Sequence, residues 1–182
     1  AWDSQTGSNN VVVAVIDTGV AYNHADLASN IWVNSNEVPN NGIDDDNNGF
    51  IDDYRGWDFV NNAPDPAPKF DDDFTADGIS HGTIIAGIIA ASGNNAAGIA
   101  GVTWSVKLMP LKVLDDKGEG SSTKVIKAID YAVATGATVN GAAGRAHPVG
   151  ELRLLGIEPA PVDVADWALP QLETRHPADP KV

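Results

Sequence analysis

The chain has 182 residues, 43% of them hydrophobic, enough for one domain with its own core. It has no Cys and so no disulfide scaffold, and its formal charge of −14 leaves no basic face for nucleic acid or an anionic membrane. No apolar run approaches the roughly 18 residues of a membrane span. No basic-plus-apolar leader is present and residue 1 is Ala, so the expectation is a processed piece whose secretion signal lies outside it.

Residues 1–10 are polar and read as a loop. Val11-Val12-Val13-Ala14-Val15-Ile16 is a short, continuous, mostly β-branched run, which predicts a buried parallel strand. It ends in Asp17-Thr18-Gly19-Val20. The carboxyl end of a central strand is where open α/β sheets gather ligands and catalytic groups. An Asp there also simply begins turns, and by itself the position supports both readings equally.

The segment Asp44-Asp45-Asp46-Asn47-Asn48-Gly49-Phe50-Ile51-Asp52-Asp53 repeats the start of an EF-hand loop. Asp44, Asp46 and Asn48 alternate, Gly49 stands at the sharp turn, Phe50 offers a carbonyl, and Asp52 follows. The reading is a Ca²⁺ loop inserted in another fold, with Asp53 as a substitute ligand, against a solvated acidic loop. Arg55 takes the place where an EF-hand has its bidentate Glu, which predicts weak affinity. Asp71-Asp72-Asp73 lacks the spacing and reads as a solvated run.

Residues 61–68 are loop by composition. From Ile84 to Ala91 apolar residues recur at i, i+1, i+4 and i+5 with Ala and Gly between, which predicts a helix buried on most sides. Ser80 is the predicted N-cap, after a turn at Asp77-Gly78. His81 then falls in the first turn, flanked by the small Gly82 and Thr83. A lone His at a helix start is more often a surface or capping residue than a catalytic one.

Residues 106–114 read as a second strand and 115–120 as a turn. Ser121-Ser122 caps a helix over 123–135, with Val125, Ile126, Ile129, Ala132 and Val133 on its apolar face and Gly136 closing it. Ala137-Thr138-Val139-Asn140 begins another strand. This β, α, β, α, β order is that of a parallel sheet with crossover helices. After it the composition changes: residues 141–182 contain no Asn and no Ser, and Pro159, Pro161, Pro170, Pro177 and Pro180 break any long element. His147 and His176 lie there with no partner pattern.

Asp17 in Val-Ala-Val-Ile-Asp-Thr-Gly-Val and His81 in His-Gly-Thr, in that order, resemble the subtilisin-like serine proteases, or subtilases. The resemblance covers 1–140 and implies an α/β, three-layer parallel-sheet fold that is incomplete, followed by a non-homologous, poorly ordered tail over 141–182. It implies Asp17 as the triad carboxylate and His81 as the general base. It implies that Gly118, Glu119 and Gly120 form a strand edge that pairs with a protein or peptide substrate, Glu119 hinting at basic substrate side chains. The loop at 40–55 resembles an insert of bacterial secreted subtilases, which implies Ca²⁺ there and a secreted protein. Asp26 and Asn95 match positions that often share a second calcium, although that site's N-terminal ligand has no counterpart here.

The departures are as specific. The family nucleophile stands in Gly-Thr-Ser-Met-Ala, and here the last Ser is Ser122. The oxyanion Asn has no counterpart, and Asn140, which resembles the start of Asn-x-Ser-x-Gly, runs instead into Gly141-Ala142-Ala143. A frameshift or junction near 139–141 accounts for both. The expectation is a subtilase piece inactive by itself; the alternatives are a non-catalytic secreted calcium- or peptide-binding module and half of a split protease.

Overall fold

In the computed structural model, residues 2–70 and 74–137 are described. The expectations for Asp71-Asp72-Asp73, for the strand beyond Ala137 and for the tail over 141–182 lie outside them. Among the described residues three strands form one parallel sheet in the order β1-β3-β2: β1 is Gly7–Asp17, β2 is Trp57–Asp58 and β3 is Ser105–Lys112. The α-helices among these residues, α1 at Ala76–Ala90 and α2 at Ser122–Ala134, connect and cover it.

The continuous apolar run of β1 is explained by what lies on its two faces. Val11, Val13 and Val15 pack with Ile85, Ala86, Ile89 and Ala90 of α1. Val12, Ala14 and Ile16 face the other cluster, with Ala128, Tyr131 and Ala132 of α2. β3 alternates in the same way, Val106 and Leu108 to the α1 side, Met109 and Leu111 to the α2 side. A strand apolar on both faces needs both helices, and the period of 2 along each strand divides the residues between them. The parallel α/β class read from the sequence is the observed one.

Both helices differ from expectation in detail. α1 starts at Ala76, not after Ser80: Thr75 is the N-cap, and its side chain accepts from the Gly78 amide at 3.0 Å. Ser80 instead donates back to the Ala76 carbonyl at 2.7 Å within the helix. His81 therefore sits in the second turn. Nor is α1 buried on most sides among the described residues, since Ile84 and Ile88 are exposed. In α2 the buried face is Ala128, Tyr131 and Ala132, flanked by Val125, while Ile126 and Val133 are exposed. The Tyr131 ring fixes that rotation, lying edge-on to Phe50 and Phe59 with centroids 4.9 and 6.0 Å away.

Candidate functional site

Asp17 ends β1 and His81 projects from α1, so the side chains meet where the helix crosses the carboxyl end of the sheet. His81 Nδ1 lies 2.9 Å from both Asp17 Oδ1 and Asp17 Oδ2. An ionised carboxylate only accepts, so the shared proton belongs to Nδ1 and the lone pair of the neutral ring to Nε2. The Asp17 side chain is 12% exposed and that of His81 60%, so a largely buried anion orients an imidazole open to solvent.

The local backbone explains this arrangement. The Thr18 amide donates to Asp17 Oδ1 at 2.6 Å, and the Asp17 carbonyl accepts from the Val113 and Leu114 amides. Thr18 Oγ1 accepts from the Gly82 amide at 3.1 Å, and Thr83 Oγ1 from the Ala21 amide at 3.0 Å. The His-Gly-Thr run thus docks α1 onto the turn after β1. Gly82 permits that approach: a Cβ there would collide with the Gly19 carbonyl and lie 3.1 Å from Asp17 Oδ1. Gly82→Ala gains up to about 1 kcal/mol of helix propensity. Against that, overpacking onto backbone costs about 1–3 kcal/mol. A lowered melting temperature is the expected net result, measured by circular dichroism.

The acidic loop holds a second candidate site, whose grouped acids overlap in part with the expected ligands. Asp46 and Asp53 come together with Glu37, each offering an oxygen within 4.8 Å of the others. Glu37 precedes the motif and was not singled out from the sequence. Its Oε1 accepts from the Asp45 and Asp46 amides and its Oε2 from the Asp52 amide. Burial, with Asp53 and Asp46 nearby, pushes the Glu37 carboxyl above its ordinary range. Asn48 lies beside the cluster, donating to Asp53 Oδ2 at 2.8 Å. Gly49, at φ +95°, makes the sharp turn as read.

Asp44 and Asp52 are not in that group of three, although Asp44 Oδ1 and Asp46 Oδ1 share the Asn48 amide at 3.0 and 3.1 Å. Asp44 receives the Asn48 and Gly49 amides on its two oxygens, and Asp52 receives those of Asn41 and Gly42. Phe50 sends its ring into the aromatic cluster with Trp57, Phe59 and Tyr131.

Gly118, Glu119 and Gly120 are exposed and follow a tight turn at 116–117, with Gly120 returning as a bridge partner to Leu114. The Leu114–Gly120 bridge closes it, and Asp115 Oδ1 takes the Lys117 and Glu119 amides at 2.9 Å each. The Glu119 amide, ahead of that of Lys117, holds the Asp115 carboxyl below its ordinary range. Asp26 and Asn95 do meet: Asn95 Nδ2 donates to Asp26 Oδ1 at 2.6 Å, and the Ile99 amide to Oδ2 at 2.8 Å. Those two bonds, in that order, lower the Asp26 carboxyl.

With these geometries in place, comparison with known proteins is informative. The subtilase family model matches residues 8–150. Subtilisin-like protease 1 of Plasmodium berghei is 48% identical over 122 residues, covering 66% of this chain and 19% of the relative. Thermitase of Thermoactinomyces vulgaris is 37% identical over 139 residues, covering 76% of this chain and 38% of the relative. Among solved structures, the serine protease of Aeromonas sobria, in complex with its chaperone, aligns with 65% of this chain and 15% of its own at 29% identity and a TM-score of 0.45. The chain thus spans about a fifth of the length of the Plasmodium relatives it matches. Over most of its length, with Asp17 and His81 inside the matched region, it belongs to the subtilase family.

Proposed function

We propose that this chain supplies the acid–base half of a subtilisin-like serine endopeptidase. The observation that carries this reading is the contact of His81 Nδ1 with both Asp17 oxygens at 2.9 Å. In that reaction a serine hydroxyl gives its proton to His81 Nε2 as its oxygen attacks the peptide carbonyl. The same proton then passes to the leaving amine as the C–N bond breaks. Asp17 keeps the Nδ1 tautomer and stabilises the imidazolium between the two transfers. The nucleophile and the oxyanion Asn must come from elsewhere, because Ser122 is the last serine of the chain. Substrates would be peptides or proteins lying along Gly118-Glu119-Gly120. Activity of a secreted protease is part of the same proposal.

Calcium belongs to it as well. The described residues place Glu37, Asp46 and Asp53 together, an all-oxygen, triply acidic donor set that suits a hard divalent cation. A bound Ca²⁺ would neutralise that charge and fix the loop. Asp26 with Asn95 is the weaker proposal for a second ion. A second reading, in which the chain by itself is a calcium- or peptide-binding module, draws on the same acidic group of Glu37, Asp46 and Asp53.

A chimera tests the first reading. With residues 2–137 replacing the matched segment of thermitase, the protein should cleave a peptide substrate. A folded chimera without turnover would reject Asp17 and His81 as a working pair.

A further inference from the structure

Lys112 is a buried cation that the proposed chemistry does not use. It ends β3, pairs in register with Asp17 and is 1% exposed. Its Nζ donates to the Thr18 carbonyl and to Asp116 Oδ1, both at 2.7 Å. An ammonium is costly to bury unless charge and hydrogen bonds meet it, and an apolar side chain of similar length often stabilises a core better. Lys112 is met on both counts, which points to a role in specifying geometry.

Both of its partners lead to the Asp17–His81 pair. Thr18 donates its amide to Asp17 Oδ1, and its hydroxyl accepts from Gly82, the residue after His81. The Asp116 carbonyl accepts from the amide of Thr75, the N-cap of α1, and Asp116 Oδ1 from the Lys69 amide. The ammonium thus joins the turn that carries the carboxylate to the Asp116 segment, whose carbonyl in turn holds the start of the helix carrying the imidazole.

We propose that Lys112 is a positioning residue: its bonds to Thr18 and Asp116 hold the β1 turn and the start of α1 in the register that lets His81 contact both oxygens of Asp17. The inference rests on reading those two residues as the acid–base pair. Its chemistry is electrostatic and geometric, with no bond made or broken.

The test is the side-chain ¹H–¹⁵N spectrum of the 182-residue chain, with the His81 signal assigned by its loss in His81→Ala. The wild-type chain should show a low-field Nδ1 proton from the bond to Asp17. Lys112→Met should remain folded by circular dichroism and lose that resonance, as the imidazole swings into solvent. A merely structural lysine would lower the melting temperature and leave the native resonance unmoved. Such an unmoved resonance in folded Lys112→Met would overturn the proposal. If that variant does not fold, Asp116→Asn decides: it keeps the Thr18 bond and weakens the second anchor, so the resonance should shift, and an unchanged one overturns the proposal. Absence of the low-field proton from the wild-type chain would remove the pair itself, and the role of Lys112 with it.

Discussion

In the thermitase chimera, His81→Ala should reduce turnover by roughly 10⁶, the loss seen when the histidine or serine of the subtilisin triad is removed singly. Asp17→Asn should cost about 10⁴. The two differ for a reason visible in the geometry. Without His81 no group is left to take the hydroxyl proton. In Asp17→Asn the ring remains, but an amide that can donate to Nδ1 permits the tautomer whose Nε2 already carries a proton. KM should change little in either variant, because neither side chain lies in the exposed segment at Gly118–Gly120 proposed to hold substrate. Equal losses in kcat and kcat/KM would mark interactions made only in the transition state, whereas a rise in KM alone would assign the pair to substrate binding.

Calcium should stabilise the chain strongly. With Kd on the order of 10⁻⁴ M, as for weak extracellular sites, about 10 mM Ca²⁺ would be ~100 Kd and add about 2.7 kcal/mol. For a chain of this size that is a rise in melting temperature on the order of 5–10 °C. Glu37→Gln should abolish most of that rise, because it removes one charge and one ligand oxygen from the set with Asp46 and Asp53. The rise should also shrink as the pH falls. The folded, metal-free Glu37 has a raised pKa, so it takes up a proton starting above its ordinary value of 4.5, and that proton competes with the metal. Metal-free chain is therefore relieved of repulsion as the pH falls through that range, while the calcium increment is lost. An unchanged melting temperature at millimolar Ca²⁺ would reject the site.

How much of this the sequence revealed follows from what kind of interaction sets each feature. The middle of β1 was legible because a strand covered on both faces must be apolar there, and 11–16 is, whereas its start at 7–10 read as loop; β3 was legible from its apolar residues despite Lys107 and Lys112. Asp17 and His81 were legible as a pair from their motifs in order. The start of α1 was not, because Asp77-Gly78 reads as a turn in isolation. The Thr75 side chain and the Asp116 carbonyl override that by holding the Gly78 and Thr75 amides. The apolar face of α2 was misjudged for a related reason: counting aliphatic residues passed over Tyr131, whose ring packs in the aromatic cluster and whose hydroxyl reaches Asp53 at 2.7 Å. Desolvation and that bond raise the Tyr131 pKa, which keeps the hydroxyl a donor.

Glu37 and Lys112 were missed because their roles depend on long-range closure. Nothing local distinguishes an acid preceding a loop, although a Glu shortly before an Asp-rich motif is a signal to weigh. A lysine within an apolar strand was a stronger clue, since Lys is almost never fully buried unless paired. One partner, Asp116, is four residues away, but the other, Thr18, follows β1 and becomes a neighbour only after folding.

Labelling with a fluorophosphonate tests the central claim most directly, that this chain holds the base and its carboxylate but no nucleophile. The 182-residue chain should remain unlabelled, because Ser121 and Ser122 stand at the start of α2 and no serine follows them. The thermitase chimera, which supplies the serine, should take up one equivalent and lose that reactivity in His81→Ala. Stoichiometric labelling of the chain by itself, abolished by His81→Ala, would contradict the account.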